Sequence, residues 1–289
     1  MDPDSIYVHA VNHLPDPNTS SGNHARSQIE IFHHKLGSDS ARHVRSVRHP
    51  LIRVPNDILS LGPGEFYVTN DHKYRQGLKR TLEILWMGSM SHITDTIHVR
   101  VDIESKDGDL GVLATVAIDG MHNNNGLGHG ATEDEAIICD AAGGVLHLAK
   151  IPESTSTTPR LELVDSVHLD STIDNPSYYR DPYPTRSCDT SGYILAGLLR
   201  GIDYDPHFRN ESYVDPSVVW HLSKSETGTW RKRIIFQDDG DTLSSASTAV
   251  LLPLDQVDNG DRKEGWLWVT GPSSFATLAT KIDLTTLCE

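Results

Sequence analysis

The sequence predicts an all-β chain of the propeller class, with one inserted helix near residues 75–87. Three observations lead there: short β-rich runs from end to end, a single helical period, and an irregular echo of Asn/Asp pairs ahead of strands. The runs are Ile6–Ala10, Gln28–Phe32, Asp57–Leu61, Glu65–Thr69, Thr96–Val101, Val112–Ile118, Glu135–Cys139, Val145–Ala149, Leu161–Val167, Gly192–Leu199, Val218–Leu222, Arg233–Phe236, Thr248–Leu252, Gly265–Val269 and Ala276–Ile282. Each is bounded by Gly, Pro, Asn or Asp, the pattern of antiparallel strands and turns.

Two connections read as hairpins, one through Gly62-Pro63-Gly64 and one through Ala141-Ala142-Gly143-Gly144. Between Arg75 and Met87, Leu78, Leu82 and Leu85 recur at i, i+4 and i+7, a stripe that serves as core or as the wall of a substrate cleft. A lone helix among many strands argues against α/β folds. The polar stretch Pro152–Pro159 reads as an exposed loop, and no linker separates two compositions, so residues 1–289 read as one domain.

The echo sets the architecture. Polar pairs precede strands at Asn56-Asp57, Asn123-Asn124-Asn125 and Asp174-Asn175, with an equivalent turn at Thr242–Ser247, at intervals of about 50 to 70 residues. Propeller blades repeat at about 40–50 residues, and insertions such as the helix account for the excess. Turns that open the innermost strand of each blade face a common channel, so side chains distant in sequence converge there.

Asn56, Asn125, Asp174 and Asn175 together offer neutral amide oxygens and one carboxylate. That hard oxygen set suits Ca²⁺, which takes six to eight such ligands, and suits Zn²⁺ poorly. Asn and Asp are also the commonest turn residues, so the same positions serve as simple strand-end caps.

Composition narrows the function classes. Lys+Arg 25 against Asp+Glu 40 gives a formal charge of −15, against a nucleic-acid partner, which needs a basic footprint. No apolar run approaches the roughly 18 residues of a membrane span, and the acidic opening at Asp2 and Asp4 lacks the regions of a signal peptide. Cys139, Cys188 and Cys288 show no CxxC spacing, and an odd, separated set reads as buried thiols. Asn18 and Asn210 open glycosylation sequons. Serine-hydrolase chemistry lacks its G-x-S-x-G, and zinc chemistry lacks HExxH.

At the level of strings, VNH at Val11–His13, PNDILSLGPGEFYVTNDH at Pro55–His72, NNNG at Asn123–Gly126, TIDN at Thr172–Asn175 and the terminal Leu287-Cys288-Glu289 resemble the paraoxonase/arylesterase family. Asn56 to His72 is the most specific part. The resemblance implies a six-bladed propeller that hydrolyses lactones and aryl esters with calcium, on a small-molecule substrate and in the secretory pathway. It implies Asn56, Asn125, Asp174 and Asn175 as catalytic-calcium ligands, Asp57 as a ligand of a second, structural calcium, and His13 as a member of a histidine dyad. Asp71 and His72 fall at a strand end beside the active-site mouth, or else simply cap the hairpin. The implied chemistry is Lewis-acid polarisation of a carbonyl with a histidine assisting water.

Family members carry a further segment upstream of the strand matching Ile6–His13. The resemblance therefore implies a first blade missing or partial, with an acidic calcium ligand, the other dyad histidine and a cysteine partner for Cys288 absent from these residues. On that footing the 289-residue chain is expected to hydrolyse little or nothing, and a non-catalytic propeller-like binding module is the alternative. A smaller departure is Leu198-Leu199, where the family often has Cys-His, which implies an altered pocket wall.

Overall fold

The computed structural model describes residues 3–16, 25–75, 77–83, 92–105, 108–153, 159–199, 214–225, 227–254 and 262–288. Within them the chain is built almost wholly of strands, in five antiparallel sheets taken in chain order. The first is β1 (Ser5–Pro15), β2 (Ala25–Lys35) and β3 (Ala41–Val47). The second is β4 (Pro55–Gly62), β5 (Glu65–Asn70), β6 (Thr94–Val101) and β7 (Val112–Met121). A third meander comprises β8 (Asn124–His129), β9 (Glu135–Asp140), β10 (Val145–Lys150) and β11 (Glu162–His168). The fourth holds β12 (Pro176–Tyr179), β13 (Gly192–Leu198), β14 (Ser217–Lys224) and β15 (Trp230–Asp238). The last is β16 (Thr248–Pro253), β17 (Glu264–Thr270) and β18 (Leu278–Asp283), followed by a 3-10 turn at Leu284–Leu287.

Every sheet joins consecutive strands in order, the up-and-down arrangement of a propeller blade. Five such sheets stand among the described residues, against an expected six-bladed propeller with its first blade missing or partial. Each of the fifteen expected runs overlaps a strand, and the polar repeats open three of the sheets: Asn56 and Asp57 begin β4, Asn124 begins β8, and Asn175 directly precedes β12. Ser247, from the fourth expected turn, directly precedes β16.

The chain forms two compact units, residues 1–127 with 150–162, and residues 128–149 with 163–289. In the first, Ile29, Ile31 and Val47 of the first sheet and Phe66, Val68, Ile97 and Val99 of the second form one core. Strand β5 is buried on both faces after Glu65, because it lies inside its sheet and under that core, whereas β1 alternates and lies at its sheet's edge. Arg45, fully buried, donates to the carbonyls of Asp102 (2.6 Å), Gly108 and Leu110 and so pins the loop after β6. In the second unit, Ile137, Leu146, Leu195 and Leu222 centre one core, and Ile194, Val219, Leu251 and Leu267 another.

Both expected hairpins form. At the first, a side chain on Gly64 would place its Cβ 2.4 Å from the Val101 carbonyl, which explains glycine there. At the second, Gly144 has φ +62° and the same addition would meet the Ser171 carbonyl at 2.2 Å.

Two expectations need correction. The helix expected over 75–87 is a five-residue α1, Leu78–Leu82, and residues 84–87 lie outside the described residues. It starts at Gly77 without a side-chain cap, and Leu78 and Leu82 are 75% and 46% exposed, so these two leucines are not core. Cys288 is also not without a partner: it is bridged to Cys188 across 100 residues, while Cys139 is the buried free thiol. Closing so long a loop restricts the unfolded chain by about 4–5 kcal/mol in the chain-entropy account. Leu198 and Leu199 pack on the second unit's core. Both sequons fall outside the described residues.

Candidate functional site

A bulge in the second sheet sets the site. Pro55 pairs with Asn70 and Ile58 with Val68, so β4 advances three residues while β5 advances two. Bulges re-aim side chains out of a ladder. Here the displaced residues are Asn56 and Asp57. Asn56 reaches the Asp71 carboxylate just past the end of β5. Asp57 turns the other way in bonding: its Oδ2 accepts from Leu127 N at 2.7 Å and its Oδ1 from Ile58 N at 2.8 Å. Burial raises the Asp57 pKa, and those two amides oppose it.

Strand β8 is tied to the same place. Thr69 Oγ1 donates to the Asn125 carbonyl at 2.6 Å and accepts from Asp57 N at 3.0 Å. Asn124 Nδ2 donates to Thr96 Oγ1 at 2.6 Å, and Asn123 Nδ2 to the Asp71 carbonyl at 3.1 Å. Beneath them Asn70, fully buried, accepts from Arg53 N and Val54 N and donates to Leu51 O and Asp95 Oδ1. That amide fixes the chain leading into Asn56 against the end of β5.

Asp71 is the electrostatic centre. Desolvation is the largest influence and pushes its pKa from 3.8 up to about 6, with Glu83 adding to the rise and Arg80, Asn56 and His13 opposing it. Asp71 Oδ1 is buried and has no hydrogen-bond partner among the described residues; the same holds for Asn125 Oδ1. His72 lies between two acids, Nε2 at 3.7 Å from Asp71 Oδ2 and Nδ1 at 3.6 Å from Glu83 Oε1. Glu83, at the end of α1, receives Lys73 N at 2.9 Å and Tyr74 N at 3.1 Å and folds the segment after His72 back over itself. On β1, exposed His13 holds its Nδ1 at 2.8 Å from Ser27 Oγ.

Thus Asn56, Asp71, His72 and His13 gather in the first unit, with Asp57 and Asn125 linked to them through Thr69. The other two candidates lie in the second unit. Asp174 and Asn175 precede β12, with Asp174 N donating to Ala196 O at 2.9 Å. Asn175 Nδ2 faces Ser247 O, Ser247 Oγ and Thr248 Oγ1 at 3.1–3.2 Å, which turns its carbonyl oxygen away from β16.

Sequence reasoning missed Asn70, Asp95 and Glu83. Asn70 stood inside the quoted TNDH string, where its position between Thr69 and Asp71 was the available signal. Glu83 carried none, since its role depends on where α1 turns the chain.

The chain's residues 2–100 match the family model described as Arylesterase. Serum paraoxonase/lactonase 3 of Oryctolagus cuniculus is 24% identical over 251 residues, covering 85% of this chain and 59% of its own length. Serum paraoxonase/arylesterase 2 of Bos taurus is 26% identical over 251 residues with the same coverage of each. That of Rattus norvegicus reaches 33% over 82 residues, 28% of this chain and 21% of the relative. The chain therefore spans 59% of the length of the longer-matching relatives. His13, the bulged Asn56-Asp57 pair, Asp71 and His72 all lie inside the matched 2–100 segment, where the chain is similar to the paraoxonase/arylesterase family.

Proposed function

We propose that this chain is a calcium-dependent hydrolase of the paraoxonase/arylesterase type, acting on lactones and aryl esters from a single propeller domain. The family match over residues 2–100, which contains the bulge at Asn56-Asp57 and the acid at Asp71, carries the reading. The donor chemistry fits the metal: Asn125 Oδ1 and Asp71 Oδ1, buried and without donors among the described residues, are oxygens that a hard cation satisfies. Asn56, Asn125, Asp174 and Asn175 would hold the catalytic ion and Asp57 a second one. Bound there, calcium supplies a Lewis acid that polarises an ester carbonyl and stabilises the developing oxyanion.

The chain's own residues do the rest. Ser27 Oγ, 2.8 Å from His13 Nδ1, orients the imidazole and leaves Nε2 to take a proton from water. Asp71 keeps negative charge beside Asn56 and interacts electrostatically with His13. Asn70 and Thr69 hold the strand ends that carry these groups. The resemblance supports a secretory-pathway protein, and the Cys188–Cys288 bridge fits an oxidising compartment.

Calcium titration by calorimetry and turnover of a lactone and a phenyl ester, each with and without EGTA, test the reading. Saturable calcium binding, weakened most by Asp174→Asn because it removes the single carboxylate of the set, is the expected result, together with hydrolysis that is weak in the 289-residue chain and abolished by EGTA. Hydrolysis indifferent to EGTA would sink the calcium mechanism, and calcium binding with no hydrolysis at all would leave a binding module instead.

A further inference from the structure

The first unit contains a cavity lined by charged side chains, outside the proposed calcium ligands. It has a volume of about 360 Å³ and is lined by Arg26, Ser27, Arg48, Ile52, Arg75 and Asp109, among others. In a chain of formal charge −15, three guanidinium groups around one small cavity, facing a single lining carboxylate, reverse the local sign.

The three arginines are held differently. Arg75 is committed to the chain, donating to the carbonyls of Arg53, Ala25 (3.2 Å) and Ile52 (3.1 Å), and Asp16 acts on it electrostatically. It fixes the cavity wall. Arg48 donates through Nε to Gln28 Oε1 at 2.8 Å, which orients its fork without occupying the two terminal nitrogens. Arg26, at the start of β2, buries its Nε with no acceptor among the described residues. A buried guanidinium nitrogen without an acceptor is costly, and a planar fork pairs best with an oxyanion.

We propose that this cavity binds a small phosphate-bearing molecule, with Arg26 and Arg48 pairing the phosphate and Arg75 supplying fixed charge. The volume lies at the lower end of the roughly 300–1,000 Å³ range of organic-ligand pockets and leaves room for a body beyond the phosphate. Buried Ile52 offers that body an apolar surface. Asp109 opposes the anion and limits its affinity. Ser27 lines the cavity and also bonds His13, so occupancy is transmitted to that imidazole.

The test is calorimetric titration of the 289-residue chain with inorganic phosphate, phenyl phosphate and succinate, in EGTA and at constant ionic strength set with NaCl. EGTA removes calcium, so failure here is separate from failure of the hydrolase reading. Expected are saturable binding of phosphate, binding of phenyl phosphate at least threefold tighter, and a loss of about tenfold in Arg26→Gln. Arg48→Lys, which keeps charge but not the fork, is expected to weaken binding less than Arg26→Gln, and Asp109→Asn to tighten it. Titration should also shift the His13 imidazole resonance in the parent and not in Arg26→Gln. Each variant is compared with the parent by circular dichroism, and Asp109→Asn keeps the proposal testable should Arg26→Gln not fold. Absence of saturable binding, equal affinity in parent and folded Arg26→Gln, or no change in Asp109→Asn would overturn the site, and succinate binding tighter than phenyl phosphate would overturn the ligand class.

Discussion

Glu30 and Asp71 are two largely buried carboxylates of the same unit, and the fold treats them oppositely. Around Glu30, on the middle strand of the first sheet, Asn12 Nδ2 (2.9 Å) and Gln28 Nε2 donate to Oε1, while Ser46 Oγ (2.6 Å) and His43 Nε2 (2.9 Å) meet Oε2. Burial would raise its pKa, but these four contacts outweigh it and bring the group down to about 2. Asp71 is more strongly desolvated and keeps an oxygen without a donor among the described residues, and it rises to about 6. The charge state is set by burial weighed against the donors that meet the carboxylate. A saturated carboxylate is a structural rivet, whereas an unsaturated one is available to a ligand or a proton.

The second unit repeats the saturated solution with a cation. Asp181 accepts from Lys263 Nζ at 2.5 Å and from Thr190 and Tyr183, and Lys263 also donates to the carbonyls of Tyr183 and Cys188. This pair organises the loop that carries the disulfide. Lys263→Met should show the largest effect, about 3–5 kcal/mol lost in urea unfolding, because it strands a buried Asp181. A loss under about 1 kcal/mol would mean that the loop opens to water and that the pair is not a rivet.

Next comes Glu30→Gln, expected to cost about 2–3 kcal/mol by removing the charge around which four contacts are arranged. Asp71→Asn is the decisive contrast, since removing an under-satisfied charge should leave stability within about 1 kcal/mol of the parent or raise it. If both substitutions cost the same, the distinction between the two carboxylates is broken.

The pH profile sharpens the comparison further. Asp71 has a folded pKa above its usual 3.8, so its ionisation opposes folding, and this penalty grows as pH rises from about 4 to about 6. Glu30 has a folded pKa below 4.5, so its contribution is present above that value and is lost as pH falls toward about 2. Unfolding free energies measured from pH 3 to 7 should therefore contain a falling component between pH 4 and 6 that vanishes in Asp71→Asn, and an acid-side loss that shrinks in Glu30→Gln. The smallest effect expected is a rise in melting temperature of a few degrees on adding calcium to the parent, reduced in Asn125→Ala. An equal rise in both would remove Asn125 from the proposed ligands.

Local chemistry explains what was legible beforehand. Gly62-Pro63-Gly64 and Ala141–Gly144 specify tight turns between runs of strand formers, so both hairpins could be read from a few consecutive residues. The start of β8, rich in Asn and Gly, has little strand propensity of its own, and β12 is only four residues long and opens on Pro176, so both were reached only through the polar pairs at their starts. The bulge at Asn56-Asp57 was invisible, because it exists only as a mismatch between β4 and β5. Leu78, Leu82 and Leu85 had the right period for a longer helix, yet period alone could not say whether any surface would cover the stripe.

By itself, then, the sequence determined the strand-and-turn content, the polar residues that open successive sheets, and the kinship written in PNDILSLGPGEFYVTNDH, all of which depend on neighbours in the chain. Tertiary structure alone decided that Cys288 meets Cys188, that Glu30 is saturated by residues of β1, β2 and β3, and that Asp71 is left short of donors. In QIEIF, Glu30 reads as one more polar position of an alternating strand. Whether such a carboxylate becomes a rivet or a reactive group depends, for three of Glu30's four contacts, on partners 13 to 18 residues away, and only strand pairing brings those within hydrogen-bond reach.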